Sequence, residues 1–277
     1  MALTDYVIMP GADYQALCDK IREKTGKTDV IKSGDLVTEI DSIGGGAAGQ
    51  YIEYTFNAEG EAVTAALHGF TTIPDGCFAY MKSLVSVDIT DSPGITSIGN
   101  HAFYYCNALT SFVIPDTVTS IGEYAFCQCT SLEAINIPSA ITSIGRYAFQ
   151  NCKVATGNIV IPGTVTTIET YAFSTCSALE SVTISEGVTN IDAGAFMSCS
   201  ALTSINIPST VTKIGYRAFY GCSAMASAVF EVTSGWWYAS SATATSGTEI
   251  ASTDLADATT ASGYLTNTYA GKYWSRS

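Results

Sequence analysis

Charge is scarce in this chain: 13% of its 277 residues are Asp, Glu, Lys or Arg, and two are histidine. Much of the surface must therefore be made of Ser, Thr, Asn and Gly. The charge present is mostly negative, 25 acidic against 12 basic residues, for a net −13. A field of that sign repels phosphate backbones and anionic membranes, so no nucleic-acid partner is expected. Long apolar runs are missing as well. None approaches the ~20 residues of a bilayer-spanning helix, so no membrane insertion is expected. The opening Met1-Ala-Leu-Thr-Asp-Tyr-Val-Ile-Met-Pro10 has no basic stretch followed by an apolar one. That predicts no signal peptide and a protein that is cytoplasmic at synthesis.

What the chain does have is a period. One unit reads Ile114-Pro-Asp-Thr-Val-Thr-Ser-Ile-Gly-Glu-Tyr-Ala-Phe126, then Cys-Gln-Cys129-Thr-Ser-Leu132-Glu-Ala-Ile135-Asn-Ile137. The Phe returns at 78, 103, 126, 149, 173, 196 and 219, at spacings of 25, 23, 23, 24, 23 and 23. Cys follows three residues later at 106, 129, 152, 176, 199 and 222, and Leu three further on at 109, 132, 179 and 202. Repeats of this length stack, because one unit alone cannot bury its apolar face. Leu132-x-x-Ile135-x-Ile137 is predicted as a short strand stopped by Pro138, which cannot donate to a ladder. Val118–Ile121 is predicted as a second extended piece. Tyr-Ala-Phe-x-x-Cys is predicted as a tight helical turn into the next rung.

The unit resembles the BspA-like leucine-rich repeats, whose pattern is close to IP-x-x-V-T-x-I-G-x-x-A-F-x-x-C-x-x-L, over roughly residues 70–230. The resemblance implies a surface-exposed binder of proteins or host cells. The fold expected is a β-rich α/β solenoid of seven leucine-rich repeats of about 23 residues, with end caps and a small N-terminal helical hairpin.

The ends differ from the middle. Tyr14, Leu17, Cys18 and Ile21 fall at helical spacing, and Ser33 caps a second helical pattern carrying Leu36, Ile40 and Ile43. These make residues 1–43 a candidate attachment module, with 44–50 a Gly-rich linker. The string Ala16–Ile40 resembles a segment of bacteriophage and prophage tail-associated structural proteins, which implies a virion or other structural partner for residues 1–43. Residues 51–69 are predicted as a capping hairpin, 70–230 as the solenoid and 231–277 as a C-terminal cap. Trp236, Trp237 and Tyr238 are expected to seal the last rung, with Tyr269, Tyr273 and Trp274 closing the chain.

Chemistry is harder to find. His68 and His101 sit in no nucleophile or metal-ligand pattern, and Gly44–Gly46 lacks the lysine of a phosphate loop. The cysteine column is expected to be buried, reduced and apolar in character. Only Cys127-x-Cys129 is a close pair, and its second member belongs to that column, so no metal is expected. No catalytic residue and no cofactor are expected either. Two surfaces remain as binding candidates. The outward strand face, with residues such as Thr110, Glu133 and Asn136, is flat, small and polar. The position two before Phe carries His101, Tyr124, Tyr147 and Tyr171, then Gly194 and Arg217, and stacked tyrosines there are candidates to seat sugar rings or a protein. The leading expectation is a non-catalytic phage or prophage tail-associated protein that recognises a protein or cell-surface glycan, located on a virion or released by lysis. The alternative is a bacterial cell-surface adhesin of BspA-like type; an enzyme is the distant third.

Overall fold

A computed structural model of the chain describes residues 6–8, 50–58 and 60–276. The helical hairpin expected within residues 1–43 and the linker at 44–49 lie outside the described residues. Strand β1 (Tyr6–Ile8) falls in the first of these segments and pairs antiparallel with β2 (Tyr51–Phe56).

Seven stacked rungs form the body. Phe78, Phe103, Phe126, Phe149, Phe173, Phe196 and Phe219 are all fully buried. Neighbouring rings in this column lie 4.8–5.5 Å apart. That spacing is close to the ~4.8 Å between paired strands, so a ladder of rungs and a stack of rings satisfy one another. Burying each such ring contributes on the order of 1.5–3 kcal/mol.

One wall of each rung is the short Thr-x-Ile piece. Strands β4 (Thr72–Ile73), β6 (Ser97–Ile98), β7 (Ser120–Ile121) and β8 (Ser143–Ile144) form one parallel ladder. Strands β10 (Thr167–Ile168), β12 (Asn190–Ile191) and β14 (Lys213–Ile214) form the next. After the Ile comes a glycine in four rungs, Gly99, Gly122, Gly145 and Gly215. A Cβ at any of them would stand 2.4–2.5 Å from a backbone nitrogen of the preceding rung. At these four rungs the close approach to the preceding one requires the missing side chain.

The second ladder is shorter than the repeat predicts. Strands β9 (Asn158–Ile161), β11 (Ser181–Ile184), β13 (Ser204–Ile207) and β15 (Ser227–Phe230) pair in parallel, but residues 134–137 form no strand. Two causes are visible. The next unit carries an extra residue at Gly157 (φ 89°). On the other side, the Asn136 carboxamide bonds to both peptide groups of Ile114 and takes the place of a ladder step.

The third wall corrects the helical turn. Tyr-Ala-Phe-x-x-Cys forms overlapping turns, with left-handed residues two before and two after each Phe. Cys127 N–H bonds to the Tyr124 carbonyl and Cys129 N–H to that of Phe126. The alternate amides are thereby freed for the next rung: Tyr124 N–H reaches Arg146, Phe126 reaches Ala148 and Gln128 reaches Gln150, at 2.7–2.9 Å. A helix would have spent those donors within one rung.

The cysteine column is buried and its members are free thiols. Its side chains do more than fill space. Cys106 donates its thiol to the Phe78 carbonyl at 3.0 Å, Cys129 to Phe103 at 3.1 Å and Cys152 to Phe126 at 3.3 Å. Cys176, Cys199 and Cys222 repeat the bond at 3.1–3.2 Å.

Both ends are closed. The β2–β3 (Ala62–His68) hairpin extends the stack, β3 pairing in parallel with β5 (Ser86–Asp88), and Tyr54 packs edge-on against Phe78 at 6.4 Å. At the other end β16 (Trp236–Ala239) pairs with β17 (Thr248–Glu249) and with β18 (Tyr273–Arg276). Strand β18 also runs antiparallel to β14, bringing the chain end back onto the rungs. Two short helices, Ser252–Ala256 and Ala258–Gly263, fill the connection. Trp236 and Trp274 are buried against Phe230, 5.4 and 6.1 Å from its ring.

Candidate functional site

The turn wall sets the geometry of the residues two before Phe. His101, Tyr124, Tyr147, Tyr171 and Arg217 all have φ between 55° and 59°. That conformation costs a bulky L-residue about 1–2 kcal/mol. Four successive rungs carry a ring there nonetheless, and ring contact offsets the strain. His101 stacks on Tyr124 at 4.9 Å, Tyr124 on Tyr147 at 4.6 Å and Tyr147 on Tyr171 at 5.2 Å, with planes within 14°. The stack stops at Gly194, whose absent side chain leaves room for the Tyr171 ring. Arg217 lies beyond that gap and places its guanidinium 5.0 Å from the rings of Tyr216 and Tyr220. Four of the five expected residues therefore come together, and Arg217 stands apart.

Three tyrosines that the sequence reading did not single out join the stack. Tyr80 and Tyr105 occupy the other left-handed position, two after Phe, and stack at 5.6 Å. Tyr104 sets its edge against Tyr80 and His101 at 5.3 Å and against Tyr124 at 6.0 Å. Tyr80 is 63% exposed. The shared register of Tyr80 and Tyr105 was visible in the repeat; the approach of Tyr104 was not, since it depends on how consecutive turns splay. The result is one patch of seven rings.

Ring spacing decides what this patch can do. At 4.6–5.2 Å the faces of Tyr124 and Tyr147 are covered by their neighbours. Edges and hydroxyls are what the column presents. Burial, followed by the adjoining phenols of Tyr124 and Tyr171, raises the Tyr147 pKa above the ordinary tyrosine value. Burial likewise raises that of Tyr104. These hydroxyls stay protonated and able to donate. Beside them Arg146 meets Glu123 at 3.4 Å, an exposed pair that adds little stability.

The strand face is less organised. Its outward residues include Val113, Val160 and Val229, all exposed. Among the described residues no three His, Cys, Asp or Glu gather closely enough to hold a metal ion. No helix among them is long and apolar enough to cross a membrane.

The BspA type leucine rich repeat region, in six copies, matches residues 53–158 and 96–226. The chain belongs to this family. Among solved structures, a leucine rich cell surface protein from Faecalibacterium prausnitzii is 30% identical at a TM-score of 0.57. The match covers 72% of this chain and 58% of that one, so this BspA-type chain spans little more than half of that protein. A Treponema pallidum leucine rich repeat protein is 16% identical at a TM-score of 0.39, covering 62% of this chain and 86% of that one. A Bacteroides ovatus leucine-rich repeat protein is 22% identical at 0.35, covering 65% and 69%. No curated protein matches the chain.

Proposed function

We propose that the chain is a non-catalytic binding protein that engages a protein or glycan on a cell surface through its aromatic edge. The observation that carries this reading is the seven-ring patch, in which strained left-handed positions keep large rings where glycine or asparagine would be easier. Tyrosine supplies rigid contact area at low entropy cost, and its hydroxyls add directional bonds. Family membership and the likeness to a cell surface protein support a location on or outside a cell. The alternative, attachment to a virion through residues 1–43 and release by lysis, draws no support from the comparisons, and its segment lies almost entirely outside the described residues.

The test is binding of labelled protein to intact bacterial and epithelial cells and to a printed glycan array. Tyr124→Asn with Tyr147→Asn removes two central rings, and Asn tolerates the left-handed backbone. Loss on the order of tenfold or more is expected, since truncated hot-spot tyrosines typically lose ~2 kcal/mol. Glu133→Ala with Glu180→Ala on the strand face should leave binding unchanged. A folded tyrosine double variant that binds like the parent, or a parent that binds no cell and no glycan, would sink the reading.

A further inference from the structure

Where the tyrosine stack ends, a second feature begins. A cleft of about 330 Å³ opens between β12, β14 and the returning strand β18. It lies at the lower end of the ~300–1,000 Å³ range of small-ligand sites. Asp192, Asn190, Lys213, Thr170, Ser275 and Tyr273 contribute to its walls.

Asp192 breaks the repeat. Its position, directly after the Ile of the short ladder, is glycine at 99, 122, 145 and 215. Only Glu169 and Asp192 replace that glycine with an acid, on adjacent rungs. The Asp192 carboxyl is half-buried, and no hydrogen bond from a described residue reaches it. Burial raises its pKa, opposed by the charge of Lys213. The Glu169 carboxyl is also raised, by burial first and then by Asp192. A desolvated carboxylate beside a like charge costs stability, and such groups are characteristic of sites that await a partner.

The lining limits that partner's chemistry. A simple anion would face Asp192, and a simple cation would face Lys213. Asn190, Thr170 and Ser275 each both donate and accept. A neutral polyol matches all of them at once, because every hydroxyl is donor and acceptor together. Tyr273 adds an aromatic flank for the apolar face of a pyranose ring. We infer that this cleft is a sugar-binding subsite, with Asp192 accepting hydroxyl bonds and Lys213 and Asn190 donating them. The inference does not depend on the tyrosine edge.

Saturation-transfer NMR with a panel of methyl glycosides (glucoside, galactoside, mannoside, N-acetylglucosaminide) at millimolar concentration tests it. At least one glycoside should receive saturation, and its affinity should fall on the order of tenfold in Asp192→Gly, because the hydroxyl bonds to a charged acceptor are lost. Gly is the residue four other rungs use here, so the variant should melt no lower than the parent. Asp192→Asn, which keeps shape and loses charge, serves if Asp192→Gly fails to fold, and it too should weaken binding. The Tyr124→Asn, Tyr147→Asn variant should bind the glycoside as the parent does, which separates this site from the tyrosine edge. No transfer to any glycoside, transfer that persists in both Asp192 variants, or transfer to butylammonium in preference to the glycosides would overturn the inference.

Discussion

The Tyr171 ring lies where the side chain of residue 194 would be. A Cβ built on Gly194 would stand 2.3 Å from Cε1 and 2.5 Å from Cδ1 of that ring, and Gly194 itself has φ 63°. Gly194→Ala therefore combines backbone strain of about 1–2 kcal/mol with expulsion of a ring held in place by Tyr147. The variant should melt lower by roughly 2–4 °C per kcal/mol lost, with a weakened near-ultraviolet tyrosine signal. Unchanged melting and an unchanged tyrosine signal would show that the stack does not end on this glycine.

The thiol column makes the fold sensitive to alkali. Burial pushes Cys106, Cys176 and Cys222 up to about 12, and Cys129, Cys152 and Cys199 well above the ordinary thiol value. An unfolded cysteine ionises near ~8.5. Above that pH the unfolded chain has released protons that the folded chain keeps. Stability is thus complete below ~8.5 and falls as pH climbs toward the folded value. Each such thiol removes up to ~1.4 kcal/mol per pH unit. The urea midpoint should drop steeply between about pH 8.5 and about pH 10.5. A flat midpoint across that interval would mean that the column is not desolvated.

Asn136 is expected to matter more than an exposed position suggests. Its Oδ1 accepts from Ile114 N–H at 2.9 Å, and its Nδ2 donates to the Ile114 carbonyl at 2.8 Å. Ile114 is buried, so Asn136→Ala leaves two peptide groups to find water at a cost of ~1–3 kcal/mol. Glu133→Ala, on the same outward face, should stay within ~0.5 kcal/mol of the parent. Equal urea midpoints for the two variants would show that the carboxamide is no substitute for the missing ladder step.

Much of the body was legible in the repeat itself. The Phe, Cys, Leu and Ile columns mark the core, because a side chain that recurs at one register in a stacked chain must meet its own copies. The aromatic residues expected at the C-terminal end include Trp236 and Trp274, both of which the cap buries. Tyr-Ala-Phe-x-x-Cys has the spacing of a helical turn, and the sign of φ at Tyr124 and Gln128 leaves no trace in side-chain periodicity, so the overlapping turns are not legible in the repeat. The thiol bonds of the cysteine column are not legible in the repeat either, because the donor–acceptor match lies between Cys129 and a carbonyl 26 residues earlier.

Sequence alone determined that identical units stack and which face of each turns inward, since apolar periodicity is a local property and burial rewards it directly. Tertiary structure decided everything that depends on distances between rungs. It set the spacing that closes the faces of Tyr124 and Tyr147, and it placed the Tyr171 ring over Gly194. It brought strand β18 back from the far end of the chain to wall the cleft at Asp192. Those distances follow from the rise of the ladder and the return of a distant segment, and no window of neighbouring residues contains either.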